Sequence, residues 1–500
     1  VDRLNGIFAF SIWDTESKTA WLVRDPLGVK PLHYHAAGEA LVFGSEIKSL
    51  LAHPTISSDI DDAGMRQLLL PLLKFPGENP YRDIQEVLPG HILEFSPRGV
   101  RHTQYWNLAE ILGRPNTTEN PEEAASALSA LLQDTVTRQT IADVPLCTFL
   151  SGGLDSSAVT AIANSLRNTE PVSSFSVDFS DVSGSLDSRS AQDRRYAHEA
   201  AAYIGSRHHN IVLDSTRLAE SSVRDAALRA RDLPNGFGDL ETSLLLLCRE
   251  VRRHATVALS GEGADEILGG YRWFNEPDAV WSDTFPWMAD TPAHGHLHQR
   301  VLATLRPDLV SKLELNTRLH DEYSTALNRL ELDPDLSEAD RRHREISYLA
   351  ITYFLPMLLD RNDRLSMASG LEVRVPFCDP RIVELVATLP RNIHNSGGRE
   401  KGVLRDAIGE RLPESVRERT KSPYPTTPDP EYSRILEADL ENALAEPPAQ
   451  LAEIFRPEVL HPDNATTSAR HQGLVSNFES EVILNFTSWF RQYEPNLPSH

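Results

Sequence analysis

Two short stretches of this chain set glycines among acidic residues in the pattern that nucleotide chemistry needs. The first is Ser151-Gly152-Gly153-Leu154-Asp155-Ser156-Ser157. Its glycines let the backbone approach a ligand closely, and the N–H groups of a helix start face an anion. Serine hydroxyls add donors, and Asp155 offers an oxygen suited to Mg²⁺ rather than to a bare phosphate. The string therefore predicts a pyrophosphate cradle with its own metal ligand, with nucleotide contacts from Ser151, Gly152, Gly153, Asp155 and Ser156. The second stretch is Ser260-Gly261-Glu262-Gly263-Ala264-Asp265-Glu266, continuing to Gly269-Gly270-Tyr271. Here Asp265 is expected as a second Mg²⁺ ligand opposite Asp155, and Glu262 as a base. Ser260 and Gly261 would offer backbone groups to the nucleotide.

Each stretch has a plainer explanation. The first could be an ordinary turn between strand and helix, and the acids of the second could merely favour a helix dipole. What favours chemistry is the setting. Val144 to Leu150 is a short apolar run that reads as a buried strand, and Ala158, Ile162 and Leu166 mark an apolar helix face behind the turn. Thr256 to Ser260 leads into the second turn in the same way. Strands at Val172 to Phe179 and Asn210 to Leu213, with helices at Arg195 to Ile204 and Leu244 to Arg253, complete an alternation that predicts a doubly wound parallel sheet. In such a sheet ligands lie beyond the carboxyl ends of the strands, so the two turns can face each other.

The rest of the chain bounds what else the protein can be. Five hundred residues imply two or three domains. A formal charge of −23 argues against nucleic acid or an anionic membrane as partner. No apolar run has the length of a membrane span, and three scattered cysteines (Cys147, Cys248, Cys378) suit a reducing cytoplasm and buried thiols. His208-His209 lacks companion ligands and reads as structural, and Tyr424-Pro425 reads as a rigid surface turn. Ser180 to Arg194 reads as a polar mobile loop. Beyond Pro286 the pattern is mostly helical, through Leu309 to Leu330, Glu345 to Leu359 and on to Tyr493.

Ahead of residue 106 the pattern is β-rich, with strands at Ile7 to Trp13, Thr19 to Arg24, Leu32 to His35, Ala40 to Gly44 and Ile92 to Phe95, and a helix at Asp62 to Leu70. Gly6-Ile7-Phe8-Ala9-Phe10, Arg24-Asp25-Pro26-Leu27-Gly28 and Phe43-Gly44-Ser45-Glu46 resemble the second half of a class II glutamine amidotransferase domain. That family uses an N-terminal cysteine and places most glutamine-holding residues before the Gly-x-Phe-Ala strand. Only five residues precede Gly6, so the resemblance implies a chain truncated at its N-terminus and lacking the glutaminase catalytic half, with edges exposed by missing strands. The expected organisation is a partial amidotransferase domain over 1–106, a turn-rich linker over 107–122 and a synthetase domain over 123–500.

The cradle resembles the PP-loop of ATP pyrophosphatases, and Ser-Gly-Glu-Gly-Ala-Asp-Glu with Gly-Gly-Tyr resembles the asparagine synthetase signature. Asp363 to Ala368, Leu371 to Phe377 and Glu400 to Arg405 extend the likeness over nearly the whole chain. The resemblance implies Lys401 as the charge that stabilises the α-phosphate transition state. It implies Phe149, Leu150 and Val177 as adenine-pocket positions, and Arg361 as a weaker candidate for holding substrate. Phe149 is larger than the aliphatic residue usual there, and Cys378 replaces a common Leu. The activity implied is ATP- and Mg²⁺-dependent conversion of aspartate to asparagine through β-aspartyl-AMP. Ammonia would come from glutamine in a complete protein and from free ammonium here. Aspartate, ATP and glutamine or ammonia are then the small-molecule partners, and a homodimer is allowed. A β-lactam synthetase or peptide macrolactam synthetase would share the adenylation, but such relatives tend to lose the Glu at 262. An inactive fragment is the remaining alternative.

Overall fold

The computed structural model describes every residue except 2, 71, 168, 181–188, 290–296, 423, 428, 461–476 and 499–500. The first 106 residues form two antiparallel sheets. One has the order β1-β2-β6-β7, from β1 (Ala9–Asp14), β2 (Thr19–Arg24), β6 (His91–Ser96) and β7 (Gly99–Gln104). The other has the order β4-β3-β5, from β3 (His33–Ala37), β4 (Ala40–Gly44) and β5 (Gln85–Glu86). Leu22, Leu32, Tyr34, Val87 and Leu93 form a small core for this region. Ile12 and Trp13 on β1 stay exposed, at 52% and 57%.

The second region is built on a five-stranded sheet of order β10-β9-β8-β11-β12, parallel throughout. Its strands are β8 (Leu146–Phe149), β9 (Ser173–Phe179), β10 (Arg207–Leu213), β11 (Val257–Leu259) and β12 (Glu372–Arg374). Alternation along the strands sends side chains to two cores. Leu146, Val257 and Leu259 join the large core that holds the helices Pro121–Gln139 and Leu154–Ser165. Cys147, Ala258, Phe175 and Val373 point the other way, onto the helix Asp239–Val251. Burial on both faces is what a parallel sheet requires, and it makes the strands read as apolar runs. The chain leaves β8 for β9 and β10 on one side, then returns to β11 on the other. The crevice of the sheet therefore opens between the ends of β8 and β11, where strand order reverses.

Beyond β11 the described chain is mostly helical. A long rod runs through Glu338–Leu349, a π turn at Ala350–Phe354 and Leu355–Met367. The π turn precedes Pro356, whose missing N–H would otherwise leave a gap in the helical ladder. The helix Asn477–Tyr493 closes the chain against this region.

Three expectations need correction. Residues 107–122 are not simply turns: Asn107 caps a helix, Leu108–Leu112, whose leucines are buried. The Arg344 guanidinium fixes this segment by donating to the carbonyls of Leu112 and Arg114, at 2.5 and 2.6 Å. Tyr424 does not lie on a surface turn; its ring faces the buried Arg361 guanidinium at 5.2 Å. Glu372–Arg374, inside the Leu371 to Phe377 segment to which no strand was assigned, is the edge strand β12. Most of the polar loop expected at Ser180 to Arg194 lies outside the described residues, and a helix already runs from Arg189. All three cysteines are buried free thiols.

Candidate active site

The cradle forms because β8 ends and the helix Leu154–Ser165 begins within four residues. Gly152 sits at φ +75°, and a Cβ there would lie 2.4 Å from the backbone nitrogen of Ala197, so only glycine fits. Gly153 is the N-cap residue and has open space beside it, with only Ser151 Oγ at 3.4 Å. Ser156 Oγ accepts from the Ser151 N–H at 3.2 Å and lies 3.1 Å from Ser151 Oγ, which fixes the turn from inside. Asp155 projects from the first helical turn.

The second turn follows β11 in the same way and packs directly on the first. A Cβ on Gly261 would lie 2.7 Å from the Ser156 nitrogen. Gly261 therefore brings the two turns into contact. Ser260 does not offer its N–H to a ligand, because that group donates to the Arg374 carbonyl at 2.9 Å and extends the ladder to β12. Ser260 Oγ instead accepts from the Glu262 N–H at 3.2 Å.

Asp155 and Asp265 face each other across one ammonium group. Lys401 Nζ donates to both oxygens of Asp155 at 2.8 and 2.6 Å and to Asp265 Oδ1 at 2.6 Å. Gly270 makes this meeting possible, since a Cβ there would stand 2.1 Å from Asp265 Oδ1 and 2.7 Å from Lys401 Cε. Lys401 itself has φ +52°, a strained conformation for a side-chain-bearing residue. A second lysine, absent from the sequence reading, pairs with the outer oxygen: Lys421 Nζ lies 2.5 Å from Asp265 Oδ2. The Lys421 N–H donates to Glu400 Oε1 at 2.5 Å, which ties the two lysine segments together.

These contacts separate the two carboxylates electrostatically. Burial raises Asp155 above its ordinary range despite Lys401. Burial works the same way on Asp265, but two lysines outweigh it and hold that carboxyl well below the ordinary range. Burial also opposes the charge on Lys401, yet the two aspartates keep it above the usual amine value. Glu262 is raised by burial, partly offset by Arg361 and Lys421. Behind it, burial beside Asp265 and Glu262 pushes Glu266 up to about 8, while the Tyr271 hydroxyl donates to Glu266 Oε1 at 2.6 Å.

The described residues of 419–422 and 424–427 form a strap at the site. Arg419 donates to the Gly152 carbonyl at 3.0 Å, lies 4.3 Å from the Tyr196 ring and pairs with Asp193. Lys421 follows, then Tyr424 over Arg361, and the Thr427 N–H donates to Asp239 at 2.7 Å. The only sequence signal for the strap was a pair of basic residues, Arg419 and Lys421, entering a proline-rich stretch of an acidic chain.

The expected adenine positions divide. Phe149 and Val177 are half-buried and pack against the same core face. Leu150 is fully buried in the opposite core, with its N–H donated to the Phe175 carbonyl at 2.7 Å. Its side chain is spent on packing. His208 is placed by Ser174 and Ser176 at 3.0 and 3.1 Å, among packed side chains.

A parallel-sheet domain with paired acidic turns and lysines at its switch point, following a β-rich domain, defines a nucleotide-using synthetase with an amidotransferase-type region. Residues 127–491 match the asparagine synthase family, and residues 1–106 match the glutamine amidotransferase domain family. The chain belongs to the asparagine synthase family. Asparagine synthetase [glutamine-hydrolyzing] 3 of Bacillus subtilis is 38% identical over 441 residues, covering 87% of this chain and 69% of that protein. Asparagine synthetase [glutamine-hydrolyzing] 1 of the same organism is 27% identical, covering 85% and 68%. Amidase chyE of Penicillium rubens is 26% identical, covering 85% and 70%. Among solved structures, NMN synthetase from Francisella tularensis matches at 13% identity over 57% of this chain and 97% of that one, with a TM-score of 0.20, too low to inform the fold. Among the described residues, no helix is long and apolar enough to cross a membrane.

Proposed function

We propose that this chain adenylates the side-chain carboxylate of aspartate and transfers the acyl group to ammonia. The observation that carries the reading is the pair of lysines set between two acidic turns at the ends of adjacent parallel strands. The β-carboxylate oxygen attacks the α-phosphorus of ATP, and the bond to the bridging oxygen breaks to release pyrophosphate. Lys401 and Lys421 meet the negative charge that gathers on the phosphates, where a buried, preoriented ammonium acts most strongly. Ammonia then attacks the acyl carbon, Glu262 accepts the proton it sheds, and AMP leaves. A carboxyl raised by burial is the stronger base once ionised, which suits that role.

The residues also fit Mg²⁺. Asp155 and Asp265 share one cation already, through Lys401 Nζ, and Mg²⁺ is commonly held by one or two carboxylates together with substrate phosphates. Among the described residues no cluster of three or more His, Cys, Asp or Glu is poised for a metal, so phosphate and water would complete the shell. Bound there, Mg²⁺ would neutralise charge on the leaving pyrophosphate.

Residues 1–106 contain no cysteine, and burial pushes the Cys147 and Cys248 thiols up to about 12. Neither thiol suits nucleophilic attack on glutamine, and the scheme consumes ammonia whether it is supplied free or released from glutamine. The test is pyrophosphate release and asparagine formation with ATP, Mg²⁺, aspartate and ammonium, against glutamine in place of ammonium. Asparagine from ammonium alone supports the reading. Well-folded protein that releases no pyrophosphate would sink it.

A further inference from the structure

The two acidic turns already hold a cation of the protein's own. Lys401 Nζ lies 2.8 and 2.6 Å from the oxygens of Asp155 and 2.6 Å from Asp265 Oδ1, so three carboxylate oxygens converge on one ammonium. The fourth oxygen, Asp265 Oδ2, is taken by Lys421 Nζ at 2.5 Å. Every oxygen of the carboxylate pair that suits Mg²⁺ is therefore matched from within.

The fold holds Lys401 in this place. Its backbone is left-handed, at φ +52°, immediately before the helix Gly402–Ile408. A side-chain-bearing residue keeps that conformation only where its surroundings over-determine it. Here they do, because a Cβ on Gly402 would lie 2.3 Å from the backbone nitrogen and oxygen of Ser396. Gly270 closes the other side, where a Cβ would stand 2.7 Å from Lys401 Cε and 3.0 Å from Nζ. Movement is left to the side chain, and a flexible four-carbon stem ending in a compact charge is suited to it.

Charge decides when that movement can happen. Two carboxylates and two ammonium groups balance one another in a buried site. A divalent cation entering alone would compete with Lys401 for the same oxygens and leave buried positive charge uncompensated, which is costly. A triphosphate removes both obstacles, since it supplies negative charge and a new partner for the displaced ammonium.

We infer that Lys401 is an internal plug that keeps divalent cations off Asp155 and Asp265 until nucleotide phosphates draw its ammonium away. The inference rests on the adenylation reading above and adds an order of entry to it: metal and nucleotide arrive together, and free metal finds the site closed. One displacement then opens the carboxylates and brings Lys401 to the phosphates. Lys421 is not the plug, because it meets only one oxygen of one aspartate and is 28% exposed against 3% for Lys401.

The test follows Mn²⁺ by electron paramagnetic resonance, which needs no turnover. The parent chain should bind no Mn²⁺ at the two aspartates without nucleotide, and should bind it in the presence of α,β-methylene ATP. Lys401→Met should bind one Mn²⁺ without nucleotide, at least about 100-fold more tightly than the parent, because buried carboxylates have lost the cation that matched them. Mn²⁺ alone should raise the melting temperature of that variant and leave the parent's unchanged. Lys401→Gln, which keeps a hydrogen-bond donor, takes its place if Lys401→Met does not fold. Lys421→Met should behave like the parent. Three results would overturn the inference: nucleotide-free Mn²⁺ binding by the parent that disappears in Asp155→Asn, equal gains in the Lys401 and Lys421 variants, or no gain in a folded Lys401 variant. Pyrophosphate release by a parent that binds Mn²⁺ freely would discard the plug and keep adenylation. The expected Mn²⁺ pattern without pyrophosphate release from any acceptor would do the opposite.

Discussion

The two strand-to-helix turns at the centre of the sheet are built from nearly the same parts and end in different electrical states. Each follows a parallel strand, contains glycine at the approach and projects one aspartate from the first helical turn. Asp155 meets one lysine, and burial prevails. Asp265 meets two, and its charge is fixed. The difference comes from residues that arrive 136 and 156 positions later in the chain, Lys401 and Lys421. A carboxylate in such a turn is thus defined less by its own motif than by the cations delivered to it.

The largest effect is expected from the better-charged member. Asp265→Asn should lower pyrophosphate formation by about 10³-fold, in line with loss of a preorganised electrostatic group. It should also destabilise the fold by about 3–5 kcal/mol in urea unfolding, because two buried ammonium groups lose their counter-charge. Asp155→Asn should be milder in stability, with one lysine affected and a second partner left to it. Equal stability losses in the two variants would break the comparison.

The lysines sharpen it further. Lys401→Met and Lys421→Met should each cost about 10²-fold in pyrophosphate release. Only Lys401→Met should strongly destabilise, since Lys401 bridges both aspartates and its side chain is 3% exposed against 28% for Lys421.

A smaller contrast lies inside the cradle. Gly152→Ala should cost about 1–3 kcal/mol from backbone strain alone, before its clash with Ala197 is counted. Gly153→Ala, with open space and φ −80°, should leave the melting temperature nearly unchanged and raise KM for ATP. Similar melting losses for both would mean that the turn tolerates movement.

The smallest effects concern pH. The acid limb of the ammonium reaction should lie above the ordinary carboxylate range, because Glu262 must be ionised to accept a proton and burial raises it. Removing the neighbouring cation in Arg361→Gln should move that limb to still higher pH. Glu266 acts on stability instead. Its folded value of about 8 lies above its ordinary 4.5, so its contribution is fully present below pH 4.5 and is lost as pH rises through 8. Glu266→Gln should flatten urea stability over that window, and an unchanged slope would count against a buried, protonated Glu266.

Much of this was legible before the structure. The strands β8, β9 and β11 announce themselves as apolar runs, and both turns follow from glycine and aspartate spacing. Two of the elements that were missed share one cause. β12 is three residues long and β7 is exposed along its whole length, so neither shows an apolar period. The helix Leu108–Leu112 is hidden by the turn-forming residues around it. Leu150 and Ser260 sit inside the two turn motifs, yet their N–H groups are taken by neighbouring strands. Local sequence cannot reveal that.

What the sequence determined by itself is the class of chemistry: backbone approach, a helix start and an acidic oxygen are local properties of consecutive residues. What only the tertiary structure decided is where the cations stand. Lys421 on Asp265, Arg419 on Gly152, and Glu241 beside Arg361 join residues more than a hundred positions apart. Electrostatic interaction depends on distance and burial in three dimensions, and neither is written in the order of the chain.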